Sequence, residues 1–142
     1  MKLDAQHAVP ARMACLPQAI DFVAGFCARQ GISRDDMLRL TLMVEELFSN
    51  TVVHGHGGDS PALVRLGLQD GGGQVTLLYE DQAPAFDPLA GLAQAQADLR
   101  ADVADRPLGG MGIPLVVQMA ASVSYAYEDG CNRLRLVLRR AP

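Results

Sequence analysis

Glu46, Asn50 and His54 recur at every fourth position, a spacing that on a helix stacks a carboxylate, an amide and an imidazole in one row. Beside that row, Leu40, Met43, Val44, Leu47 and Thr51 fall at i, i+3, i+4, i+7 and i+11, a mostly apolar stripe suited to face a core. A polar row roughly a quarter-turn from an apolar stripe describes the wall of a pocket. It equally describes a solvated helix face ending in a histidine that the negative end of the helix would favour in its charged form. Asp81 closes an apolar run just where Pro84 and Pro88 stiffen the chain. A carboxylate held there can accept a hydrogen bond from a ligand amino group such as that of adenine, or simply cap a turn. Gly109, Gly110 and Gly112, with Met111 among them, precede an apolar helix start. Glycines there let the backbone approach an anion, which the free N–H groups of the helix end attract. No Lys-Ser/Thr pair follows these glycines, so the run is not a Walker A loop.

The elements that must position these groups follow from punctuation and periodicity. Lys2 to Val9 is a short edge-strand candidate. Pro17 suits the first turn of a helix carrying Ile20, Val23, Ala24 and Cys27, and Gly31 ends it. Ser33 caps the next helix, with Asp36 as its capping-box partner; that helix runs to about His54 and stops at Gly55. Ala62 to Gln69 and Gln74 to Asp81 are strands joined by the hairpin signal Asp70-Gly-Gly-Gly73. Leu92 to Val103 is alanine-rich and could form a helical lid beside a site. Ile113 to Met119 starts a helix, with Pro114 in its first turn. Ser122 to Glu128 and Cys131 to Arg139 are strands turned at Asp129-Gly130. Helices first and hairpins last predict an α+β two-layer sandwich. The sheet is expected to be mixed but mainly antiparallel, with helices on one face, as a single domain over 1–142.

Composition excludes several classes of function. With a net charge of −4 and no dense basic run, a direct nucleic-acid surface is not expected. No apolar run approaches the about 20 residues needed to span a bilayer, and Met1 to Pro10 lacks the apolar segment of a signal peptide. Cys15, Cys27 and Cys131 match neither a zinc spacing nor a disulfide framework, and read as buried free thiols of a cytoplasmic protein. Met13, Met37, Met43, Met111 and Met119 read as core fillers, Glu45 as a solvated or pocket-rim carboxylate, and His7 as a surface residue.

Taken together and in order, Glu46-x-x-x-Asn50-x-x-x-His54-Gly55, Asp81-Gln-Ala-Pro-Ala-Phe-Asp87 and Gly109-Gly-Met-Gly112 resemble the GHKL superfamily of ATPases with the Bergerat fold. Within it, the chain is similar to the stand-alone serine/threonine protein kinases that act as anti-sigma factors, over nearly its whole length. The resemblance implies ATP or ADP as ligand, with Mg2+. It makes Glu46 the general base and Asn50 the magnesium ligand, and places Asp81 on the adenine amino group. It puts Ala85 in the adenine loop and Gly109, Gly110, Met111 and Gly112 on the phosphate side, with Arg106 near the terminal phosphate if the lid closes. Asn132 would be the polar residue of the last strand. The implied partners are an anti-anti-sigma (antagonist) protein, a sigma factor and a second copy of the chain. Ala83 and Ala85 stand where more distant relatives have glycine, so this loop must do without positive φ. A nucleotide-gated binding module with little kinase activity is the alternative, since binding alone needs only Asp81 and the glycines. A separate ATP-binding component of a two-component system is another, but it would need a partner chain carrying the phospho-acceptor histidine.

Overall fold

The computed structural model describes residues 2–90 and 112–141. The lid segment, Arg106, Gly109, Gly110 and Met111 lie outside the described residues.

Strand β1 (Ala5–Pro10) leads through a short 3-10 turn into helix α1 (Leu16–Gln30). Pro17 occupies its first turn, and Gly31 ends it at φ 66°, a conformation open to glycine at little cost. Helix α2 (Arg34–Asn50) begins at Ser33, whose hydroxyl accepts the Asp36 N–H at 3.2 Å. Asp36 does not return a side-chain bond to Ser33 as a capping box would. Its carboxylate turns instead to Arg39 and to the Ala141 N–H. The helix also does not keep its α geometry to His54. From Thr51 to Gly55 it widens into a π turn, closed by the His56 N–H on the Thr51 carbonyl at 2.9 Å. Such widened turns are rare and gather at functional sites.

Strands β2 (Leu63–Asp70) and β3 (Gln74–Asp81) form the first hairpin, and helix α3 (Gly112–Met119) precedes the second, β4 (Ser122–Glu128) and β5 (Cys131–Arg139). The sheet has the order β1-β2-β3-β5-β4. Every described pairing in it is antiparallel. The chain therefore inserts β5 between β3 and β4, which sets Asp81 directly opposite Asn132. That register brings two polar residues, far apart in sequence, to the same end of the central strand pair.

One face of the sheet carries Val64, Leu66, Leu68, Val75, Leu77, Leu134, Leu136 and Leu138, all buried. The helices close over it through Val23, Phe26, Leu40, Met43, Val44 and Phe48. The stripe read for α2 is therefore the core face, Thr51 included. Of the residues expected inside, Met43 and Cys27 are buried, Cys15 and Cys131 are half-buried, and Met13 is exposed, since the 3-10 turn that carries it has no buried residue. His7 is exposed on β1 and stacks on Phe22, and Glu45 is exposed. No helix among the described residues is long and apolar enough to cross a membrane.

Candidate functional site

A cavity of about 520 Å³ opens where the C-terminal end of α2 meets the ends of β3 and β5. That volume suits a drug-sized or nucleoside-sized ligand. Asn50, Thr51 and His54 line it from the helix and its π turn, Asp81 and Asn132 from the strand ends, and Pro84 to Phe86 from the loop after β3. Its lining is mostly apolar, with a few polar groups among the apolar walls, as expected of a site that buries a flat ring and orients it by a few hydrogen bonds.

Asp81 is the carboxylate of this lining and is 8% exposed. Oδ2 accepts the Thr51 hydroxyl at 2.8 Å, while Oδ1 accepts the Ala83 N–H at 3.1 Å and the Asn132 amide at 2.9 Å. A carboxylate offers about four lone-pair sites, so these donors leave one acceptor position open. Asp81 has no lysine or arginine partner among the described residues. Among the described residues its hydrogen-bond donors are all neutral.

Thr51 has one proton and three neighbours. Its oxygen lies 3.0 Å from the Leu47 carbonyl, 2.6 Å from the Tyr79 hydroxyl and 2.8 Å from Asp81. Burial, the largest influence, pushes the Tyr79 hydroxyl well above its ordinary pKa; the hydrogen bond with Thr51 pulls it down and the Asp81 charge raises it further. Tyr79 therefore stays protonated, and with the single Thr51 proton directed elsewhere it is the donor of this pair. The Thr51 proton goes to Asp81, since a bond to a charged acceptor is the stronger choice. The result is a one-way relay from Tyr79 through Thr51 to Asp81.

Asn132 organises the other side. Its amide nitrogen reaches Asp81, the Ala83 carbonyl at 3.0 Å and the Pro84 carbonyl at 3.1 Å. Its oxygen accepts the Phe86 N–H at 3.0 Å and the Tyr125 hydroxyl at 2.5 Å. One side chain thus pins the whole loop that roofs the cavity. Burial raises the Tyr125 pKa, against the lowering effect of the Phe86 backbone and with the added charges of Asp87 and Asp81, so Tyr125 also remains a donor. Ala83 and Ala85 hold this loop without positive φ, as their side chains require. Gly55 lets it approach the π turn: a Cβ there would lie 2.8 Å from the Cβ of Ala83.

Asn50 lines the cavity and is half-buried. Glu46, one turn earlier, does not line it. Its half-buried carboxylate instead meets Gly112 at the start of α3, where an added Cβ would overlap the carboxylate and stand 3.0 Å from Cδ. The structure thus brings together Asn50, Asp81, Ala85 and Asn132 around one cavity, with Glu46 and Gly112 in contact beside it. Thr51, Tyr79 and Tyr125 were not expected at the site. Thr51 was visible only as the one polar member of an apolar stripe, and the tyrosines carried no local signal. Among the described residues no group of three or more His, Cys, Asp or Glu side chains could hold a metal alone, so a cation here would share its shell with ligand oxygens.

The family described as the histidine kinase-like ATPase domain matches residues 9–138. The serine/threonine-protein kinase BtrW of Bordetella bronchiseptica is 32% identical over 103 residues, covering 72% of this chain and 70% of that protein. The solved RsbU and RsbW domains of Rv1364c from Mycobacterium tuberculosis superpose with a TM-score of 0.62 at 17% identity, over 97% of this chain. This chain spans 33% of that longer one, and the likeness speaks for the fold.

Proposed function

Because the chain belongs to the histidine kinase-like ATPase domain family, we propose that residues 1–142 act as one ATP-dependent serine/threonine protein kinase domain. In this reading it is a cytoplasmic anti-sigma factor that phosphorylates a small antagonist protein and, as a homodimer, releases or holds a sigma factor accordingly. The observation that carries the reading is the cavity itself: a hydrogen-bonded carboxylate, Asp81, and the Asn50 amide line it together, and the Glu46–Gly112 contact stands beside it.

Each role follows from what the side chain can do. The free lone pair of Asp81 takes the amino group of adenine, between the apolar walls of the cavity. The amide oxygen of Asn50 suits magnesium, which prefers hard oxygen ligands and keeps several waters. When bound, Mg2+ neutralises phosphate charge. Glu46, one turn from Asn50, takes the proton of the attacking serine or threonine hydroxyl. Gly112 keeps the start of α3 free of a side chain against that carboxylate, and with Gly109, Gly110 and Met111 would offer backbone N–H groups to the phosphates. Ala85 belongs to the loop over the base.

Label transfer from ATP to purified antagonist-type proteins tests the reading. Glu46→Gln is expected to lower transfer by about 10²–10⁴-fold and leave ADP affinity within a few-fold. One observation favours a second reading, a nucleotide-gated binding module with little kinase activity: Glu46 stands outside the cavity lining. Transfer that survives Glu46→Gln unchanged removes the base assignment, and absence of transfer in the wild type with intact ADP binding selects the binding module.

A further inference from the structure

We infer that Thr51 is a positioning residue for base recognition, held in that role by Tyr79; this deepens the nucleotide reading above and rests on it. The warrant is the proton count. Tyr79 is 3% exposed and has one described hydroxyl partner, Thr51, at 2.6 Å. Its proton fills the Thr51 lone pair that faces it, and the Thr51 proton is left to Asp81 at 2.8 Å. The Asn132 amide and the Ala83 N–H take up the other carboxylate oxygen. Every donor around Asp81 is therefore committed inward, and what remains toward the cavity is a single acceptor of fixed direction. Without Thr51, Oδ2 would have two open positions, and the carboxylate could turn about its Cβ–Cγ bond with the Oδ1 donors as its remaining guides.

Placement adds to the warrant. Thr51 follows Asn50 directly and opens the π turn, and the Thr51 carbonyl accepts the bond that closes that turn. The residue that sets the carboxylate is thus joined by one peptide bond to the residue expected at the phosphates. In a regular α-helix the Thr51 hydroxyl would commonly bond the Leu47 carbonyl alone. Here the same oxygen also meets β3 twice, at Tyr79 and Asp81.

ADP binding measured by calorimetry on wild type, Thr51→Val, Thr51→Ser, Tyr79→Phe, Asp81→Asn and the Thr51→Val/Asp81→Asn double variant decides the matter. Thr51→Val is expected to weaken ADP about 10-fold, equivalent to about 1.4 kcal/mol. Thr51→Ser should recover all but about 2-fold, because it keeps the hydroxyl. Tyr79→Phe should lose about 3-fold, since the Thr51 oxygen then lacks the donor that fixes its lone pair and strengthens its own bond to Asp81. In the Asp81→Asn background, Thr51→Val should add less than about 2-fold, because the group through which it acts is gone. Thr51→Val binding ADP as wild type, or losses that add in full in the double variant, would overturn the inference and leave the nucleotide site standing. A wild type that binds neither ADP nor ATP would overturn the nucleotide reading and this inference with it. Thr51→Ser and Tyr79→Phe keep the test decisive if the valine variant does not fold.

Discussion

Two buried carboxylates stand at opposite ends of α2, and they are held in opposite ways. Asp36 is fully buried in the first turn, where the helix dipole favours an anion. Its oxygens are taken by the Ala141 N–H at 2.8 Å and the Arg39 guanidinium at 3.4 Å. Nearby, Arg140 reaches Asp70 at 3.0 Å and the Gly31 carbonyl at 3.2 Å, so the C-terminal tail, both helices and the β2–β3 hairpin are tied at one point. Asp81 sits against the other end of the helix, where the dipole is unfavourable to it. It has no described cationic partner and keeps one acceptor open toward a cavity. A carboxylate that meets a cation and is sealed from solvent is a fastening. One held by neutral donors with a vacant lone pair is prepared for a ligand that brings its own donor.

The largest effect should separate the two directly. Asp81→Asn is expected to weaken ADP binding about 100-fold, the strength of a hydrogen bond to a charged group, while the midpoint of urea unfolding moves little. Calorimetry and an unfolding curve on the same sample read both. Next, Asp36→Ala should lower stability by about 2 kcal/mol, because it strands the Ala141 N–H and loosens Arg39, and should leave ADP affinity as it was. If Asp36→Ala weakened ADP as much as Asp81→Asn, the site would be coupled to the fastening and the contrast would collapse.

How far this was legible follows from which signals are local. The Glu46–Asn50–His54 row and the core stripe repeat within one helix, so spacing reveals them. Hairpins announce themselves at Asp70-Gly-Gly-Gly73 and at Asp129-Gly130, where both residues adopt positive φ. Asp81 shows itself as a charge at the end of an apolar strand. Asn132 as a hub depends on β5 lying beside β3, a pairing across 51 positions that no local pattern encodes. The π turn is equally silent, because over Thr51 to Gly55 a widened turn and an ordinary one leave nearly the same periodicity. Asp36 was misread for a related reason: a position three after Ser33 fits a capping box, and only the return of the chain terminus at Ala141 supplies its true partner.

A smaller effect tests how tightly the ligand end is assembled. Gly55→Ala would place a Cβ 2.8 Å from that of Ala83, within the loop that Asn132 pins. Overpacking of this kind commonly costs about 1 kcal/mol or more. We expect ADP affinity to fall about 5-fold with the loop displaced, and Gly55→Ala combined with Asn132→Ala to lose less than the sum of the two, since an unpinned loop can yield. Full additivity would mean that Asn132 does not hold the loop against the π turn.

The smallest effect belongs to the fastening end and concerns Cys27. Burial, then the Asp36 charge, raises its thiol to about 11, against a lowering influence from Arg140. The folded chain therefore holds this proton more tightly than the unfolded chain, whose thiol keeps the ordinary value of 9.0. The corresponding stability is fully present below about pH 9 and is lost as the pH rises toward 11. At pH 9.5 the loss should be under about 1 kcal/mol, visible as a slope in unfolding free energy that Cys27→Ala removes. Asp36→Asn should lower the folded thiol pKa, so that the slope still begins near pH 9 but ends sooner and the total loss shrinks, while Asp81→Asn, at the far end of the helix, should leave it unchanged. A slope that ignores Asp36→Asn would show that burial alone governs the thiol, and that the charge of Asp36 is already neutralised by the residues that fasten it.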